Sequence, residues 1–554
     1  MATSKVVACP EERLKRFLYI SNEDPKFITG NPEYYKAYIP ERLTSVQKLL
    51  DTTNPECLLN IIEKVNSENL VARSETLFFA LAVAASITTN EALRHKIFAT
   101  LTNIIKTSED LCLFLKFYTK QKKKFGTAVN KVISSYYTKK DIDALLDEIT
   151  KSRGFHSWTH KDLIKLSHCR SATVELTVII RYILFGLDSA TKVAEENDSL
   201  MPIIEKLKKV QELKRCESET RIVELIKELQ CSQMTQVPSF YHNNQMVWEA
   251  LLPVLPIRDI ISNLPKLYKL GFLKANTPFQ SKVVDCLTSI EKIQASQLHP
   301  VEVLIGLRNF EKGGKPLDPK FATYLKHLEE EKKDDPNFKK IEYTREPPKC
   351  PIIINALHRT LQFSFQNPQS TGRRIMIAID VNEKMEKPCL TTKNLSAMEA
   401  AVILTLSLLK VEKDVTVVVF NNNNKVTPIT IEKNISLNAA LLKLKQHKCD
   451  RVVPSAAIEW AINKKKQIDV FINLIHHHHW LQVLPKEVRE KEKPIEVLNK
   501  YRKKMALPNT KLITFSLCTP HQSIADGSPN ILDISGFSKE VPKVMEAFNR
   551  GLFY

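Results

Sequence analysis

Basic side chains crowd one stretch of the chain. Lys116, Lys120, Lys122, Lys123 and Lys124 come first, then Lys131, Lys139 and Lys140, then His160, Lys161, Lys165, His168 and Arg170. Cations at this density are suited to phosphate, and Tyr118, Phe125 and Trp158 lie close enough in sequence to stack on bases. In THKDLIKLSH (159–168), Thr159 is a plausible helix cap. Lys161 and Lys165 then fall four apart on one face, with His168 three further on, while Leu163, Ile164 and Leu166 face elsewhere. An ordinary solvated helix face with an unremarkable histidine would read the same way.

A second stretch, RRIMIAIDVNEKM (373–385), carries chemistry of another kind. Ile375–Ile379 is a short apolar run of the type that forms a buried parallel strand. It ends on Asp380, and ligands of open α/β sheets sit beyond the carboxyl ends of strands. Asn382 and Lys384 follow where further oxygen ligands would be wanted. The run His476–His479 suggests a borderline-metal site, but consecutive side chains converge on one ion only if the loop curls. An exposed loop with adventitious metal affinity is the simpler reading.

No reaction finds support. On a helix Asp162 lies off the His160 face. Glu329 and Glu330 sit in a charge run, and no motif places a serine or cysteine nucleophile. Neither GxxxxGK[ST] nor GxGxxG occurs, so phosphate-cradling loops are not indicated. The eleven cysteines are scattered with no CxxC, which suits reduced thiols. We expect a non-enzyme without a cofactor.

The 554 residues imply about two to four domains. No apolar run of about 18 residues exists, and the N-terminal residues lack a signal-peptide core. The expectation is a monomeric, cytoplasmic protein with no membrane partner and the nucleus as a second compartment. A net charge of +19 favours an acidic partner, nucleic acid first.

These residues need elements to hold them. From residue 10 to about 340, amphipathic helices follow one another, among them NPECLLNIIEKV, SETLFFALAVAASI and NEALRHKIFATLTNIIKT. Stacked helix pairs are the natural arrangement, although no fixed period recurs. Residues 311–351 turn charged and proline-bearing, marking a boundary region or exposed loops, and INALHRTLQFSF reads as one more helix. From 373 onward IMIAI, VTVVVF, IDVFINL and LITFSL alternate with helical stretches, which implies βαβ units and a parallel sheet. The expected division is a helical domain at 10–368 and an α/β domain at 369–554.

HSWTHKDLIKLSH (156–168), HPVEVLIGLRNF (299–310), IAIDV (377–381), IDVFI (468–472), YRKKMALPNTKLI (501–513) and IADGSPNILDISGF (524–537) together resemble the TROVE-domain family of Ro ribonucleoproteins. The resemblance covers nearly the whole chain. It implies a ring-like array of HEAT-like helical repeats closed by a von Willebrand factor A-like, doubly wound α/β domain. It further implies small noncoding Y RNAs bound on the outer surface and single-stranded 3′ ends of misfolded RNAs passed through the central hole. By position the RNA-contacting helix corresponds to Trp158–His168, and a basic segment to about Phe117–Lys131. There the chain departs, reading GTAVNKV (126–132) where the family looks like GRALRKA, so that Thr127 and Asn130 replace arginines. Neither offers the bidentate fork that arginine presents to phosphate.

The resemblance also implies a divalent-cation site built from a DxSxS loop, a threonine and a distal aspartate. Those positions hold Asp380, Asn382, Lys384, Val452 and His476. Too few hard oxygen ligands remain for Mg²⁺, and Lys384 is expected to pair with Asp380 in the cation's place. The leading expectation is an RNA-binding ribonucleoprotein component. The alternative is a diverged, non-catalytic protein-interaction scaffold that has lost specific RNA and cation binding.

Overall fold

The computed structural model describes residues 8–30, 38–121, 125–171, 173–195, 197–332, 345–477, 493–520, 525 and 527–554. Helices dominate as far as Ser364, and apolar spacing explains which face each one buries. Helix Glu75–Ile87 is apolar on all sides and buries every residue from Thr76 to Ala85, so it forms the centre of the first layers against Glu91–Ile104 and Ser108–Gln121. Asn90 caps its helix, its Oδ1 accepting from the Leu93 amide at 3.1 Å. Asn54 does not cap: the chain turns first, and that helix begins at Cys57. Among the described residues no helix is long and apolar enough to cross a membrane.

The strands are β1 (Lys26–Ile28), β2 (Gly154–Phe155), β3 (Trp158–Thr159), β4 (Ile375–Ile379), β5 (Val415–Phe420), β6 (Val426–Ile429), β7 (Val470–Ile475), β8 (Lys511–Ser516) and β9 (Ile531–Ser535). Seven form one sheet in the order β1-β9-β8-β7-β4-β5-β6, parallel except for the β5–β6 pair. Helices between the strands make it doubly wound. β4 runs beside β7 on one side and β5 on the other, so the switch point falls at the end of β4.

β1 was not legible in sequence. It comes from the beginning of the chain, inside the segment read as helical array, yet it pairs with β9 at the far edge of the C-terminal sheet. Three residues are too few to show alternation. The backbones come so close there that a Cβ on Gly536 (φ 82°) would lie 2.1 Å from Thr29 Oγ1.

The array closes through this domain. At one end Arg16 is buried beneath the Tyr554 ring (5.2 Å to its centroid), and Tyr19 stacks on Phe553. At the other end Arg308, on helix Pro300–Glu311, reaches Glu399 on Ala397–Val411 at 2.6 Å. Both ends of the helical series therefore rest on the same α/β unit, which makes the architecture a ring of HEAT-like repeats shut by a von Willebrand factor A-like domain. A cavity of about 1250 Å³ opens where the two ends and that domain meet, lined by Arg73, His299, Gln369, Glu412 and Lys543 among others.

Candidate functional site

The basic stretch folds into the helices Ser108–Gln121, Thr127–Lys139, His160–Ser167 and Val174–Phe185, with Ile142–Lys151 between the second and third; His160–Ser167 packs against both Thr127–Lys139 and Val174–Phe185. A two-residue hairpin, β2–β3, sets the start of the third. A Cβ on Gly154 would lie 2.0 Å from the Trp158 carbonyl oxygen, so glycine is required there. His156 and Ser157 take positive φ at the exposed tip. Thr159 then caps the helix in a reciprocal box. Its Oγ1 accepts from the Asp162 amide at 3.2 Å, and Asp162 Oδ2 accepts from the Thr159 amide at 3.0 Å. The Thr159 hydroxyl also holds the Asp162 carboxyl below the usual range.

Lys120, Lys131, Lys161, Lys165, His168 and Arg170 are all exposed. Lys161 and Lys165 share the helix face as expected. His168 sits just past the last turn as a left-handed cap (φ 49°), so it projects from the helix end. Leu166 is 37% exposed and lies partly on this surface, contrary to its expected orientation. Lys122, Lys123 and Lys124 lie outside the described residues.

His160 overturns an expectation. It is 4% exposed, with Nδ1 bonded to Tyr137 Oη at 2.9 Å. Burial holds its pKa down to about 4. A neutral imidazole inside the array cannot meet a phosphate; its position one residue into the helix turns it toward the core. Tyr118 is likewise buried against Phe114 and Phe98, which leaves no ring face for a base. Phe125 and Trp158 are half-buried and pack edge to face at 5.4 Å. One pair escaped the sequence reading. Phe185 is 66% exposed, with the Arg181 guanidinium 5.5 Å from its ring centroid, on the helix that packs beside His160–Ser167. The unburied aromatic at a helix end was the signal available in RYILFG (181–186).

At the carboxyl edge of the sheet the geometry is closed. Asp380 is 0% exposed. Its Oδ1 accepts from the Asn382 amide at 2.9 Å. Its Oδ2 accepts from the His476 amide at 3.3 Å and lies 2.6 Å from His476 Nδ1. The adjacent ends of β4 and β7 bring the two together. Lys384, expected as the partner, stays exposed on the rim; a side chain four residues along the loop points outward, whereas His476 issues directly from the neighbouring strand. Asn382 is also engaged: its Oδ1 accepts from the Lys384 amide, and its Nδ2 donates to the carbonyls of Cys449 and Asp450. Val452 is half-buried and offers no ligand atom. This donor set does not fit a hard divalent cation, and among the described residues no three His, Cys, Asp or Glu side chains are disposed to hold a metal. His478 and His479 lie outside the described residues.

The TROVE domain profile matches residues 41–347, more than half of the chain, and the Ro60 vWA domain profile matches 374–549. The chain belongs to the TROVE-domain family. A relative in Caenorhabditis elegans, named RNA-binding protein RO60, is 23% identical over 98% of this TROVE-domain chain and 88% of its own length. One of the same name in Deinococcus radiodurans is 21% identical over 98% and 93%. The crystal structure of the Deinococcus radiodurans RO (RSR) protein superposes with a TM-score of 0.78 at 20% identity, covering 98% of this chain and 99% of the other. That likeness shows the fold. Within it, this TROVE-domain chain holds Thr127 exposed and Asn130 half-buried where the resemblance implied arginines.

Proposed function

We propose that this chain binds RNA, with Lys120, Lys131, Lys161, Lys165, His168 and Arg170 meeting the phosphates and Arg181–Phe185 offering a stacking surface. The carrying observation is the exposure of these cations on helices of one basic stretch, in a chain of net charge +19. The names of its relatives support the same reading. The RNA class we favour is small, noncoding and structured, with single-stranded 3′ ends as a second ligand. The role is binding, not catalysis.

The test is a filter-binding titration with a small stem–loop RNA carrying a single-stranded 3′ tail, at several salt concentrations, against the duplex alone. Tight, tail-dependent binding that weakens by a log–log slope of roughly −0.7 per neutralised single-strand phosphate supports the reading. Weak binding indifferent to tail and sequence favours the scaffold reading, for which the replaced arginines at Thr127 and Asn130 are the specific argument.

For the C-terminal domain we propose that no divalent cation is used. Asp380 is engaged by His476, and the loop around it is braced by Asn382.

A further inference from the structure

Five of the eleven cysteines are buried, and Cys9 alone is exposed. It stands directly before the first helix, Pro10–Ile20, as its N-terminal flanking residue. Cys57 is the first residue of helix Cys57–Glu68, which packs against that first helix. Between the two thiols lies one carboxylate. Cys9 Sγ donates to Glu11 Oε2 at 3.6 Å, and Cys57 Sγ donates to Glu11 Oε1 at 3.7 Å. Two thiols far apart in sequence are thus held on either oxygen of a single acid, at a solvent-accessible junction of two helices.

We propose that Cys9 and Cys57 are a redox pair that forms an intramolecular disulfide, with Glu11 as the base that takes the Cys57 proton. Cys9, the exposed thiol, meets the oxidant first. A hydroperoxide, hydrogen peroxide in the simplest case, transfers one oxygen to Cys9 Sγ: its O–O bond breaks, an S–O bond forms, and water leaves. Cys57 Sγ then attacks Cys9 Sγ. The S–S bond forms and the S–O bond breaks. The Cys57 proton passes to Glu11, and the departing hydroxide leaves as a second water once protonated. Two thiols and one peroxide give one disulfide and two waters.

Glu11 explains why a base is needed. Burial, reinforced by the neighbouring Glu11 charge, raises the Cys57 pKa, so the thiol keeps its proton until an acceptor in contact removes it. The acceptor already holds that hydrogen bond. No three ligating side chains among the described residues surround a common point, so the pair reads as two thiols and not as half of a metal site.

The bond would tie the first helix to its neighbour in the array. That helix leads directly into β1, the strand that joins the C-terminal sheet. Oxidation therefore fixes the segment that fastens one end of the ring to the domain closing it.

The test is peptide mapping of the full chain after hydrogen peroxide treatment and alkylation without reduction. A peptide pair linking Cys9 to Cys57 is expected, absent from Cys57→Ser, in which Cys9 is instead trapped as sulfenic acid by dimedone. Glu11→Gln should slow linkage about a hundredfold, the low side of what a positioned base contributes. The melting temperature should rise on oxidation in the wild type and not in Cys57→Ser. Separate alkylation of both thiols after peroxide, or linkage only between chains, overturns the pair. Linkage at an unchanged rate in Glu11→Gln overturns the assignment of the base.

Discussion

Two regions began with the same kind of promise and ended differently. On the helical face, Lys161 and Lys165 are exposed, so they stay available to a ligand. At the carboxyl edge of the sheet, Asp380 has no exposure and is bonded to His476 and to backbone amides. A polar side chain serves a partner only if the fold leaves it unsatisfied and reachable. Burial forces the opposite, because an unpaired buried charge costs more than its pairing returns. The first region has the character of an interface, and the second that of a sealed joint.

The largest effect should come from opening the joint. His476→Ala leaves the Asp380 carboxylate buried with only amide partners. We expect a loss of about 3 kcal/mol in urea unfolding, as when one member of a buried pair is removed. Lys384→Ala, on the exposed rim, should stay within about 0.5 kcal/mol of the wild type. Equal effects of the two changes would return Lys384 to the role of Asp380's partner.

His160 sharpens the comparison from the array side, because it belongs to the sealed class although its neighbours do not. Its folded pKa is about 4, below the unfolded value near 6.5. The unfolded chain therefore binds the proton first as pH falls. The stability contribution is whole above about pH 6.5 and is lost as pH drops toward 4, an effect of roughly 3 kcal/mol. His299, half-buried on the cavity wall and capping helix Pro300–Glu311, is depressed to about 4 by desolvation and titrates over the same window. His160→Gln should flatten the fall in melting temperature across this range in part, and the double change with His299→Gln should flatten it further. A profile unaltered by His160→Gln would mean that the imidazole is solvated after all.

Breaking the interface should cost less stability and more binding. Lys161, Lys165 and His168 changed together to Ala should weaken RNA binding about tenfold. The same change should make the salt slope shallower by roughly 0.7–0.9 for each phosphate that is no longer neutralised. Urea unfolding should move by less than about 0.5 kcal/mol, as surface changes do. His160 needs separate treatment, since a change there would mix binding with folding.

How much of this was legible follows from what each signal depends on. Ile375–Ile379 announced its strand because a two-sided burial leaves a continuous apolar run, and Thr159 announced a helix start because capping is local. The place of Asp380 was readable for the same reason. Its partner was not: the resemblance set His476 at the same site, but only the β4–β7 register, across 96 residues, shows that it and not Lys384 bonds to Asp380. His160 failed for a subtler reason. Which side of a short helix faces inward depends on the tilt of the hairpin before it, and the letters HK alone do not say which of the two is outside. β1 and the Cys9–Glu11–Cys57 arrangement are tertiary facts with no local pattern.

The smallest expected effect is none at all, and it bears most directly on the sealed joint. Mg²⁺ added to the wild type should leave the melting temperature unchanged, because any ligand of the native state must stabilise it in proportion to its occupancy. A clear rise would show that oxygen ligands converge somewhere near Asp380 despite the hydrogen bonds that engage it. His476→Asp supplies the positive control. It sets a second carboxylate against Asp380 at the neighbouring strand end, so the variant should be less stable than the wild type without metal. If the histidine stands where a cation would, Mg²⁺ or Mn²⁺ should restore part of the stability in His476→Asp and nothing in His476→Ala. If neither variant responds, the missing ligands at Lys384 and Val452 matter more than the histidine does. The loop would then be incapable of holding a cation whichever residue follows β7.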